Sequence, residues 1–196
     1  MSVLILSVSL LSASWAEARS LLSREQLGRL NTGKVLIDIS FDQTGSGAKI
    51  QAVLDVPASV RSLWRVIIDC DRAPEFLTGL EDCRVLKRDR KGRWDLREHR
   101  VRWLWFLPEL RCIVRSEYQV HRSIRFQRAG GDMPDLDGRW VFQPIRNGQA
   151  TRLYYEARVD PGIQLPRAIA HSLLQNGMVT TLMALRREAI RINSRR

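Results

Sequence analysis

The chain is poor in the residues that most often mark a catalytic or metal centre. It holds three cysteines, Cys70, Cys83 and Cys112, and three histidines, His99, His121 and His171, in 196 residues. No CxxC or other metal-ligand spacing occurs, so neither a metal nor a cofactor is expected. G-x-S-x-G is missing, which excludes a nucleophile elbow, and H-E-x-x-H is missing, which excludes the helical metalloprotease site. No pair of carboxylates converges in the sequence for acid/base work. There is no internal repeat and no low-complexity tract, hence no solenoid and no compositional ground for disorder. Acid is scarce relative to base: 21 Asp and Glu stand against 32 Lys and Arg, a formal charge of +11. That excess favours anionic partners such as phospholipid headgroups or nucleic acid, or it serves solubility alone, because the bases are spread along the chain.

What is present builds one domain, with 44% hydrophobic residues supplying a core. Residues 1–18 read as a secretory signal peptide: Val3–Leu11 is apolar, and Ala16-Glu17-Ala18 is a small-x-small cleavage pattern. A secreted or periplasmic location is therefore expected. The usual Lys or Arg near the start is missing, so an upstream start, an uncleaved anchor or a buried N-terminal helix stay open. Residues 19–33 read as a tether or short helix, and 34–196 as the domain. The three cysteines read as small buried apolar residues, with a Cys70–Cys83 bridge open only in an oxidising compartment.

KVLIDISF (34–41) and AKIQAVLDV (48–56) alternate at period two around a QTGSG turn, as a hairpin does. Pro57-Ala58-Ser59 opens a helix in which Val60, Leu63, Trp64 and Ile67 share one face. A second short helix through Pro74 and Phe76 stops at Gly79. About six strands follow between Asp82 and Pro161, and a long helix spans 166–192. Gly177 sits inside that helix at a cost of about 1 kcal/mol relative to Ala, so a reason for it is to be sought. The class is α+β, with the helix laid across a sheet.

In this order, VPASVRSLWRVIIDCDRAPEFLTGLEDCRVL (56–86), GRWVFQP (138–144), TRLYYEARVDPG (151–162) and LMALRREA (182–189) resemble the START/polyketide-cyclase-like (SRPBCC) superfamily. The nearest likeness is to its coenzyme Q-binding and cyclase/dehydrase branch. It covers roughly residues 48–190 and departs at Thr78, where the family commonly has Pro after Phe-Leu. The resemblance implies a helix-grip fold: a curved antiparallel sheet wrapped around the long C-terminal helix, with an apolar cavity between. That fold hosts binders, transfer proteins, some enzymes and ribosome-binding toxins.

On such a fold the strand alternation turns Trp103, Trp105, Tyr118, Phe126, Trp140, Phe142 and Tyr155 toward the helix. The helix offers His171, Leu174, Met178 and Leu182. These residues make up the expected ligand site, with tyrosine hydroxyls to orient a mostly apolar guest. Non-catalytic binding or transport of a small hydrophobic ligand, a lipid or an isoprenoid quinone, is the expected function. The alternatives are a cyclase/aromatase-type enzyme, or a ribosome- or RNA-associated module if residues 1–18 are not a signal. Nucleic acid is not expected, since the basic run from Arg84 to Arg93 carries no aromatic platform motif. His99, in REHRVR, reads as solvated. Leu104 and Phe106 are expected to point outward beside Arg100, Arg102 and Arg111, an edge suited to an anionic membrane surface or to packing against the hairpin or a second subunit.

Overall fold

The computed structural model describes residues 22–43, 47–102, 104–163 and 165–194; the expected signal segment and Trp103 lie outside them. Within the N-terminal segment, Ser23 and Gln26 form a reciprocal capping box that starts helix α1 (Arg24–Asn31). Its Leu30 is buried. Strands β1 (Leu36–Phe41) and β2 (Ala48–Val56) make the expected hairpin, with Ile39 opposite Ile50. The Ser59 hydroxyl accepts the Ser62 N–H at 3.2 Å and caps α2 (Val60–Ile68). A short α3 (Ala73–Phe76) follows, and Gly79 at φ 85° turns the chain into the sheet.

The remaining strands are β3 (Leu80–Arg88), β4 (Trp94–Val101), β5 (Leu110–Gln119), β6 (Ser123–Gly131), β7 (Asp135–Ile145) and β8 (Ala150–Asp160). With the hairpin they form one antiparallel eight-stranded sheet in the order β1-β2-β8-β7-β6-β5-β4-β3. Helix α4 (Arg167–Asn193) closes the curved sheet, the helix-grip arrangement.

The two ends of this sandwich differ. At the end where α2 begins, Leu182, Leu185 and Ala189 of α4 pack against Leu63 and Trp64 of α2 and Phe142 and Leu153 of the sheet. Asn193 accepts from the Ser59 N–H at 3.2 Å and the Ser62 hydroxyl at 2.9 Å. Glu188 is held by Arg191 and by Arg72, the latter at 2.8 Å. These two cations, Arg191 first, pull its carboxyl down to about 2. At the opposite end, the first half of α4 is looser. Leu173, Leu174 and Met178 are half-buried, and Ile169 is exposed.

Two expectations are corrected here. Strand β4 stops at Val101, and Leu104–Leu107 is a turn closed by the Leu107 N–H on the Leu104 carbonyl at 3.0 Å. Period-two alternation therefore does not extend through WLWFLP. Leu104 points into the interior, whereas Trp105 and Phe106 are 86% and 60% exposed. The cysteines also divide. Cys70, after α2, is bonded to Cys83 of β3 across a Cα separation of 5.4 Å, and Cys112 is a buried free thiol.

Candidate functional site

A cavity of about 690 Å³ lies between the looser half of α4 and the sheet. Its lining is mainly apolar: Ile50, Val66, Leu77, Leu104, Met133, Leu136, Ile163 and Leu173 contribute, among others. Of the expected site residues, Tyr118, Phe126, Trp140, Tyr155, Leu174 and Met178 line it. Trp140 and Tyr155 pack ring to ring at 4.4 Å, and Phe126 stacks beside Tyr155 at 6.1 Å. Burial raises the Tyr155 hydroxyl far above its ordinary pKa, so it stays protonated.

Four expected residues do not line the cavity. Phe142 and Leu182 belong to the solid end, where Phe142 meets the Trp64 ring at 5.2 Å. His171 lies on the exposed edge of α4, its ring 6.3 Å from that of Phe41. Trp105 projects from the β4–β5 turn into solvent. Phe142 and Leu182 face inward, but at the solid end of the sandwich rather than beside the cavity. For His171 the helical stripe is simply too wide. Gly177 lines the cavity, and an added Cβ there would meet nothing within 4 Å. The glycine leaves the wall open.

The residues that strand alternation alone does not reveal are polar. On β4, Asp95, Arg97, His99 and Val101 share the inward face by the two-residue period. On β5 the matching row is Cys112, Val114, Ser116 and Tyr118. Val101 pairs with Leu110 and Asp95 with Ser116. Both rows run from apolar, at the sheet end near Leu104, to polar at the far end. Arg97 is buried, and its Nε and Nη2 donate to the Asp95 carboxylate at 3.1 and 2.5 Å. Nη2 also donates to the Tyr118 oxygen at 2.6 Å, and the Tyr118 hydroxyl donates to Asp95 at 2.6 Å. Burial works against the Arg97 cation, but Asp95 and Tyr118 outweigh it and raise its pKa. Burial is the main cause that raises Tyr118 as well. The named bonds use three of the five guanidinium N–H groups, and Arg97, His99, Ser116 and Tyr118 all border the cavity.

His99 corrects a further expectation. It is not solvated but lines the cavity, where burial first and Arg97 second push it down to about 4. The imidazole is neutral at physiological pH. In REHRVR both faces of the strand carry charge, so alternation could not say which face turned inward.

Much of the positive charge is answered locally. In the basic run, Arg84 pairs with Asp82 at 2.7 Å and Arg93 with Asp89 at 3.1 Å. Arg100 and Arg102, beside the exposed Trp105, reach Glu98, Glu109 and Glu81. An open groove on another part of the sheet is lined by Arg93, Arg122, Arg125 and Arg139 with Trp94 and Glu117. No helix among the described residues is long and apolar enough to cross a membrane.

The family described as "Polyketide cyclase / dehydrase and lipid transport" matches residues 56–186. A comparison with curated proteins finds no match. Among solved structures, a STAR-related lipid transfer protein from Xanthomonas axonopodis superposes with a TM-score of 0.68 at 13% identity, covering 79% of this chain and 93% of its own. A START superfamily protein from Mycobacterium smegmatis gives 0.64 at 17% identity, covering 74% and 98%. The Zhui aromatase/cyclase from a Streptomyces species gives 0.63 at 15% identity, covering 74% and 94%. At these identities the likeness is one of fold.

Proposed function

Because this chain belongs to the polyketide cyclase/dehydrase and lipid transport family, we propose that it binds and shelters a small amphipathic ligand without transforming it. The ligand class is a lipid or an isoprenoid quinone: a long apolar body with one polar or anionic end. The observation that carries this reading is the gradient along β4 and β5, from Val101 and Val114 to Arg97, Ser116 and Tyr118. An apolar tail fits against Trp140, Met178 and Leu104, and a carboxylate or carbonyl oxygen fits beside the Arg97 guanidinium. Each ~100 Å² of apolar surface buried contributes about 2.5 kcal/mol, less the ordering costs of association. No catalytic group is needed for such affinity.

The cyclase reading requires a general base in the cavity. His99 is the nearest candidate, but a histidine held at about 4 is a weak base at neutral pH. This favours a carrier over an enzyme. We also read the protein as exported, secreted or periplasmic, on the Val3–Leu11 run, the Ala16-Glu17-Ala18 site and a disulfide of the kind that persists in oxidising compartments. A membrane source or acceptor for the ligand is supported by the exposed Trp105–Phe106 pair, packed edge to face at 5.5 Å beside the cavity-lining Leu104. Trp is suited to the lipid–water interface.

Mass spectrometry of organic extracts from the purified protein tests the reading. A co-purifying species with one polar end is the expected result, with saturable rebinding after delipidation that weakens in the folded double variant Arg97→Met/Asp95→Leu. Clean extracts, together with no saturable uptake of a long-chain fatty acid or a quinone, would refute it.

A further inference from the structure

Three potential metal ligands, far apart in sequence, meet at the cavity wall. The Sγ atoms of Cys70 and Cys83 and a ring nitrogen of His99 all lie within 4.8 Å of one another. Cys83 and His99 face each other across β3 and β4 in register, so the hydrogen-bonded ladder fixes their spacing. Cys70 is brought in by the turn after α2. In the described structure the two sulfurs are joined, and the cluster is a covalent tie between the helical lip and the sheet.

We propose that the reduced form of this cluster is a zinc site, with Cys70, Cys83 and His99 as ligands and a fourth position open to the cavity. A dithiol reductant supplies two electrons and two protons, the S–S bond breaks, and two thiols result. Zn²⁺ then displaces the two thiol protons and binds both thiolates and the imidazole. Sulfurs carried on Cα atoms 5.4 Å apart can reach the ~3.8 Å separation of two ligands at about 2.3 Å from a tetrahedral zinc.

The charge balance suits the place. Two thiolates offset the dication, and the imidazole is neutral, so the loaded site brings no net charge into a largely apolar cavity. The nearby Arg97 is already paired with Asp95 and leaves the metal uncontested. Thiolate and imidazole together select zinc over magnesium or calcium. Cys83 and His99 border the cavity whereas Cys70 does not. The free coordination position therefore faces the cavity and takes water or a donor atom of a guest. Two chemical states follow for one wall: a disulfide clasp when oxidised, and a three-ligand metal site when reduced.

Cobalt(II) titration of the full chain, anaerobic and after reduction with a phosphine that is then removed, reads this directly. The reduced protein is expected to develop thiolate-to-cobalt charge-transfer absorption saturating at one equivalent, bleached by Zn²⁺, with two thiols protected from a disulfide reagent. The oxidised protein is expected to show none. His99→Asn should weaken the absorption or lose its tetrahedral form, and Cys112→Ser should leave it unchanged. If reduction unfolds the chain, recovery of its far-UV dichroism on adding Zn²⁺ supports the site, because metal binding then supplies folding free energy. No absorption in a folded reduced protein, no recovery of an unfolded one, equal binding by the oxidised form, or dependence on Cys112 rather than His99 would each overturn the proposal.

Discussion

Lowering the pH from about 7.5 to about 4.5, with the disulfide intact and a chelator present, should unload a specific part of the stability through His99. In the unfolded chain the imidazole has its ordinary value near 6.5; in the folded protein it is held at about 4. The folded state therefore resists a proton that the unfolded state accepts. The His99 contribution is complete above the unfolded value and falls as pH drops below 6.5. It is exhausted once the pH passes below the folded value, where both states are protonated. The charges that face the ring are Arg97 and Asp95 on its own strand, with Cys83 opposite on β3 and Cys112 opposite on β5. A shift of that size corresponds to about 3 kcal/mol, most of which is lost by pH 4.5. Carboxylates of the unfolded chain begin to protonate toward pH 4.5 as well, so the total slope is not diagnostic. The difference between wild type and His99→Gln is. Urea unfolding at a series of pH values should show wild type losing more stability than the mutant between pH 7.5 and 4.5, the mutant lacking the His99 loss. Profiles that stay parallel across this range would refute the reading of His99 as a half-buried, neutral imidazole.

The Asp95–Arg97 pair predicts strong non-additivity. Arg97→Met or Asp95→Leu alone strands a buried charge and should cost about 3–5 kcal/mol, whereas the double replacement should cost much less; additive losses in denaturant melts would contradict the network. At Gly177, substitution by Ala should raise stability by about 1 kcal/mol, since nothing lies near the new Cβ. Gly177→Leu should reduce uptake of a fluorescent fatty acid more than it changes the melting temperature, and unchanged uptake in a stable mutant would place the guest elsewhere. Replacing Trp105 and Phe106 by Ala should leave stability within about 0.5 kcal/mol while lowering sedimentation with anionic vesicles; equal sedimentation would remove the proposed membrane contact.

The order of elements is legible in the sequence because local rules govern it. Period-two runs at 34–41 and 48–56, the Ser59 cap, the Gly79 stop and the apolar face of α2 each act over a few residues. The family strings then imply how these pieces assemble. Half of the expected site follows from the same periodicity: Phe126, Trp140 and Tyr155 alternate on a sheet face, and Leu174 and Met178 lie on the helical stripe that meets it. The rest depends on long-range closure. In DLREHRV alternation tells which residues share a face, but both faces are charged, and only pairing with β5 shows that Asp95, Arg97 and His99 turn inward. Trp105 escapes the strand pattern because β4 ends two residues before Trp103, at a turn whose hydrogen bonds no alternation foretells.

By itself, then, the sequence determined the order of the elements and the apolar faces of α2 and the first hairpin, since those arise from neighbours a turn or a strand step apart. Only the tertiary structure decided that α4 packs tightly along its second half and stands off along its first. It likewise joined Cys70 to Cys83 and set His99 beside them. These outcomes depend on distances between segments that no local pattern encodes.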